Sequence, residues 1–99
     1  MRCRIAIAVA LACLAPAAFA QSAGARYLAA SCAICHGTDG RAVTKEVASL
    51  AGLPREHIAS QMRAFRDGQR PATVMHQIAK GYTDQQIDAL AAFFSAQKR

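Results

Sequence analysis

The sequence predicts an all-α fold: three to four short helices in one small domain. Three observations predict it. Apolar residues recur at helical spacing in separate segments. Helix-start and helix-stop residues bracket those segments. No stretch alternates apolar and polar side chains as a half-buried strand does. Composition adds a constraint. The 99 residues contain no Trp, two Tyr and four Phe. A domain this small and this poor in large side chains needs a disulfide, a metal or a large cofactor at its centre.

The elements follow in chain order. Residues 1–20 read as a secretory signal peptide and residues 21–99 as the folded domain. Met1-Arg2-Cys3-Arg4 is basic, Ile5 to Ala15 is an unbroken apolar run, and Ala18-Phe19-Ala20 is a small-residue cleavage site. That run is too short for a membrane-spanning helix, which needs about 20 residues. Cleavage near Ala20 removes Cys3 and Cys13, so the mature chain keeps Cys32 and Cys35. It also leaves ten Lys and Arg against six Asp and Glu, a net charge of +4. Such a chain is expected in the periplasm, without a membrane span and without a nucleic-acid partner.

Ser22 to Cys32 is alanine-rich, with Tyr27, Leu28 and Cys32 at helical spacing, and reads as a first helix running into the cysteines. Gly37 to Gly52 has glycines at both ends and no period, which predicts a wrapped loop. Leu53-Pro54 opens a second helix with Pro in its first turn, Ile58, Met62 and Phe65 on its apolar face, and Gly68 at its end. After a turn around Pro71, Thr73 to Lys80 predicts a short helix ending at Gly81. Thr83 and Gln86 form a capping-box pattern that launches the last helix, with Ile87, Leu90, Ala91 and Phe94 on one stripe.

Chemistry concentrates in Cys32-Ala33-Ile34-Cys35-His36-Gly37. A disulfide between Cys32 and Cys35 would close a tiny loop and stabilise little. A structural zinc site wants four ligands, and the mature chain has two thiols. A redox dithiol would need a βαβ setting, which is missing. Covalent haem accounts for every residue. The two thiols add to the haem vinyl groups as thioethers, and His36 is then placed under the iron. A sixth ligand must come from farther along the chain. Met62 reads as core packing and His57 as a partly exposed histidine. Met75, in the turn-like stretch P-A-T-V-M-H-Q-I, is the favoured donor, with His76 beside it as the alternative.

With these residues in place, the chain resembles a class I c-type cytochrome over residues 24–97. The matching positions are Gly24, Tyr27-Leu28, Cys32 through Gly37, Ser49 through Gly52, Met75 through Asp84 and Leu90 through Phe94. It is most similar to domains of di-haem c-type cytochromes and to the cytochrome subunit of flavocytochrome c sulfide dehydrogenase. The resemblance implies a small cytochrome c fold around one haem c, with thioethers at Cys32 and Cys35, His36 as proximal and Met75 as distal iron ligand. In the family a loop proline offers its carbonyl to the proximal histidine. Gly37 to Leu53 contains no proline, Lys45 stands near that place, and any residue can offer a carbonyl.

The function implied is one-electron transfer to redox protein partners. The alternative is a cytochrome subunit that accepts electrons from a flavoprotein sulfide dehydrogenase partner. Catalysis by this chain alone is not expected, because protein donors fill both axial positions. Lys45, Arg66, Arg70 and Lys80 are the basic residues expected near an exposed haem edge, where positive charge speeds encounter with an acidic partner.

Overall fold

The computed structural model describes residues 23–99; the expected signal peptide, with Cys3 and Cys13, lies outside the described residues. Helix α1 covers residues 23–29, tightens into a 3₁₀ turn at Ala30–Cys32 and resumes as α2, Ala33–His36. A second 3₁₀ turn, Thr38–Gly40, opens the wrapped loop. Then come α3, Arg55–Arg66, the one-turn α4, Met75–Ala79, and α5, Asp84–Ser95. The regular elements among the described residues are all helical, as the sequence predicts. None is long and apolar enough to cross a membrane.

Local chemistry explains the helix ends. Pro54 has φ −56° and ψ 133°, so it stands just before the first turn of α3 rather than within it. Its carbonyl accepts from the Ile58 amide at 3.1 Å. At the start of α5, Thr83 Oγ1 accepts from the Gln86 amide at 3.2 Å and Gln86 Oε1 accepts from the Thr83 amide at 3.0 Å. That is the predicted capping box, and it satisfies two otherwise orphaned amides.

The core sits where α1, α3 and α5 meet. Ala29, Ile58, Ala59, Ile87, Leu90, Ala91 and Phe94 are buried together, and α4 packs on α3. Alanines let the helices approach closely but bury little. Ile87 and Leu90 are the only large side chains that are fully buried among the described residues. Tyr27 is 85 % exposed, and the inward face of α1 is made by Ala25, Leu28 and Ala29, continuing to Cys32. The spacing was right but the tyrosine lies off the stripe: a side chain that large does not fit where α1 approaches through alanine.

Candidate functional site

Cys32 and Cys35 are both free thiols, Cys32 half-buried against the core and Cys35 exposed. Burial pushes the Cys32 thiol above its usual range. His36 ends α2, and its Nδ1 lies 2.6 Å from the carbonyl oxygen of Ala48. A carbonyl only accepts, so Nδ1 carries the proton and Nε2 keeps its lone pair. The histidine is therefore fixed in the tautomer a metal ligand requires. Ala48 supplies the carbonyl that the missing loop proline left unassigned.

That carbonyl is held in place by a tightly folded loop. Gly37, at φ 81°, turns the chain so sharply that a Cβ there would collide with the Arg41 carbonyl. Gly40 takes the same φ, and its carbonyl accepts from the amides of Leu50 (2.8 Å) and Ala51 (3.2 Å). A Cβ on Gly40 would come within 2.8 Å of the Phe94 ring. The Gly52 amide donates to the Phe94 carbonyl at 2.9 Å, and Arg41 Nε donates to the Lys98 carbonyl at 2.8 Å. The C-terminal helix thus clamps the loop that orients His36.

Met75 is the first residue of α4 and is half-buried; the stretch read as turn-like is the start of a single helical turn. Met62 packs against the core cluster, whereas Met75 does not belong to it. His57 is exposed. His76 is half-buried, and its Nδ1 is buried without a hydrogen-bond partner among the described residues. Past α4, the Tyr82 hydroxyl lies 3.2 Å from Ser31 Oγ, which donates its own proton to the Leu28 carbonyl. This contact ties the α4 segment to the residue before Cys32.

Two of the expected docking residues are otherwise engaged. Arg66 pairs with Asp84 at 2.8 Å and Asp67 at 3.3 Å. Arg70 lies over the Phe65 ring at 4.6 Å and donates to Gln61 Oε1. Lys45 and Lys80 are exposed and make no ion pair among the described residues. A groove of about 1150 Å³ between α1 and α5 is lined by Arg26, Leu28, Arg55 and Phe93 and holds none of the predicted site residues.

The donor set suits a porphyrin better than a bare ion. Among the described residues no group of three or more His, Cys, Asp and Glu side chains could hold a metal. Meanwhile Ile34 (86 %), Val43 (91 %), Val74 and Ile78 are exposed apolar side chains on the segments that carry the thiols, His36's loop and Met75. A large apolar group held by two thiols and an oriented imidazole would give these segments something to pack on.

Fold and site together define a small haem protein of electron transport. Residues 19–94 match the family described as cytochrome C oxidase, cbb3-type, subunit III. The chain is 37 % identical over 71 residues to cytochrome c-554(548) of Halomonas halodenitrificans, which covers 69 % of this chain and 86 % of that one. It is 42 % identical over 67 residues to the cytochrome subunit of sulfide dehydrogenase of Chlorobaculum tepidum, with 68 % and 60 % covered. It is also 42 % identical over 83 residues to the thiosulfate dehydrogenase electron acceptor of Thiomonas intermedia, with 83 % and 38 % covered. The chain thus spans most of the first relative but only part of the other two. It belongs to the cytochrome c family, whose cofactor is covalently attached haem c.

Sequence reasoning did not find the Ala48 carbonyl, the Tyr82–Ser31 bond or the ion pairs of Arg63 and Arg66. No sequence signal marks a carbonyl. The ion pairs did leave one: Arg63 and Arg66 at i, i+3, and Asp84 and Asp88 at i, i+4, each place two like charges on one helix face.

Proposed function

We propose that the chain is a periplasmic one-electron carrier, exported by a signal peptide cleaved near Ala20, with one haem c held through Cys32 and Cys35. His36 is the proximal and Met75 the distal iron ligand. The observation that carries this reading is the 2.6 Å contact of His36 Nδ1 with the Ala48 carbonyl, which leaves Nε2 as the free donor. The haem supplies the one-electron couple. The chain's own residues orient the imidazole, close the loop around it and present a soft sulfur from α4, which favours the reduced state. Lys45 and Lys80 remain free to meet an acidic partner.

The distal assignment has a rival in His76, favoured by its unpartnered buried Nδ1. Replacing Met75 with Ala is expected to remove the weak thioether-to-iron charge-transfer band of the ferric protein and to lower the potential. Met62→Ala should keep the band and cost stability, at the lower end of about 2–5 kcal/mol because Met62 is half-buried. A wild-type ferric protein that lacks the band, with a low-spin spectrum kept in Met75→Ala and lost in His76→Ala, would transfer the role to His76.

A second reading follows from a relative's name. The Chlorobaculum tepidum protein is a cytochrome subunit of sulfide dehydrogenase, and the same arrangement here would place a flavoprotein opposite the haem. The chain would then accept electrons and leave substrate chemistry to that partner. Affinity capture from periplasm separates the two: a stoichiometric flavoprotein supports the subunit, and a monomeric cytochrome supports the free carrier.

A further inference from the structure

The segment that carries Met75, residues 67–83, packs on α3 through α4 and through the Gln69 and Arg70 amides, which donate to the Ala64 carbonyl at 2.9 and 3.1 Å, and its two ends are fastened by charge. Arg63 Nη2 lies 2.8 Å from Asp88 Oδ1, and Arg63 Nε lies 3.3 Å from Asp84 Oδ1. Arg66 Nη2 reaches the same Asp84 oxygen at 2.8 Å while its Nε meets Asp67 at 3.3 Å. Arg66 is the last residue of α3 and Asp84 the first of α5, so these pairs join the point where the segment leaves one helix to the point where it enters the next. Asp84 is held below the usual carboxylate range by Arg66 and Arg63, and both guanidiniums are pushed up in return. Between those ends, the backbone hydrogen bonds of Gln77, Ile78, Gly81 and Tyr82 all stay within the segment.

We propose that Arg63 and Arg66, paired with Asp84 and Asp88, form a clasp that positions Met75 and sets how often its segment opens. The proposal rests on Met75 being the distal ligand. An isolated exposed ion pair contributes little, but two arginines sharing one carboxylate oxygen form the kind of network that does count. The α3–α5 core of Ile58, Ile87 and Leu90 is apolar and continues without the clasp. The arginines therefore act on the segment more than on the domain. They are positioning residues, and they touch neither thiols nor imidazole.

The test is carbon monoxide binding to the reduced holoprotein, which needs the distal ligand to leave, read beside amide hydrogen exchange. In Arg63→Gln/Arg66→Gln, binding is expected to speed up by about three- to tenfold at low salt, the range that two or three coupled surface pairs supply. The gap from wild type should close near 1 M salt, where charges are screened within about 3 Å. Exchange should rise at residues 72–82 and stay unchanged at Ile87 through Phe94, and Arg63→Lys/Arg66→Lys should restore most of the wild-type rate. Unchanged binding rates, or exchange that rises equally in α5, would overturn the clasp. Met75→Ala that keeps the charge-transfer band would overturn the ligand assignment instead, so the two failures are told apart.

Discussion

The two loops that flank the haem site are closed by different chemistry. Residues 37–53, which orient His36, are fastened by backbone hydrogen bonds across the Gly40 carbonyl, by contact of Gly40 with Phe94 and by the Gly52–Phe94 bond. Residues 67–83, which carry Met75, pack on α3 through α4, and their ends are held by arginine–aspartate pairs and by one hydroxyl contact, Tyr82 to Ser31. Buried backbone bonds are indifferent to salt, and removing one leaves a costly orphan. Exposed ion pairs are weak singly and yield to salt and acid. A carrier built this way has a rigid side and a compliant side, and the compliant side carries Met75, the proposed distal ligand.

The harshest way to break the comparison is to remove what both loops close on. Cys32→Ala with Cys35→Ala is expected to leave little stable helix, since ordering each residue costs roughly 1–2 kcal/mol and six of the ten buried apolar residues are alanine. Circular dichroism decides this; a cooperative melt with native helix content would show that the polypeptide needs no cofactor. Next in size is Gly40→Ala, aimed at the rigid side alone. A non-glycine residue at φ 81° is strained, and its Cβ would press on Phe94 and Ala51. The expected loss is about 1–3 kcal/mol in urea unfolding, without the salt-dependent change in carbon monoxide binding that marks the other loop.

The smallest effect is acid loosening of the compliant side. The carboxyl of Asp84 faces Arg63 and Arg66, with Asp67 and Asp88 sharing those arginines. Its folded pKa is depressed, so its contribution is present above the unfolded value and disappears as pH falls through the folded one. Carbon monoxide binding should therefore accelerate below the ordinary aspartate range. Asp84→Asn should abolish most of that dependence; a variant with the full wild-type pH profile would place the acid step elsewhere.

How much of this was legible beforehand differs by region for a physical reason. Helix existence was legible because Ile87, Leu90, Ala91 and Phe94 carry a period, and the capping box at Thr83 and Gln86 marks a start. The cofactor was legible because covalent haem attachment demands a fixed short spacing of two thiols and a histidine. The orientation of Tyr27 was not, because spacing alone does not say which of two adjacent positions faces the core. The partner of His36 was also hidden. It depends on a loop path set by two positive-φ glycines and the C-terminal helix, and backbone carbonyls are the same in every residue.

The tight turn at Ala30–Cys32 acts as a gear change. An α-helix advances about 100° per residue and a 3₁₀ helix about 120°, so three tighter residues rotate everything after them by roughly 60°. Had α1 run on unchanged, Leu28, Cys32 and His36 would lie along one i, i+4 row facing the same neighbours. The added rotation hands the chain from one task to another within a single rod. Its first two turns seal against α3 and α5 through alanine, and its last turn swings Cys35 out to an exposed position. A residue inserted or deleted in that turn would misphase the imidazole against its thiols' neighbours while leaving the composition of the segment almost untouched.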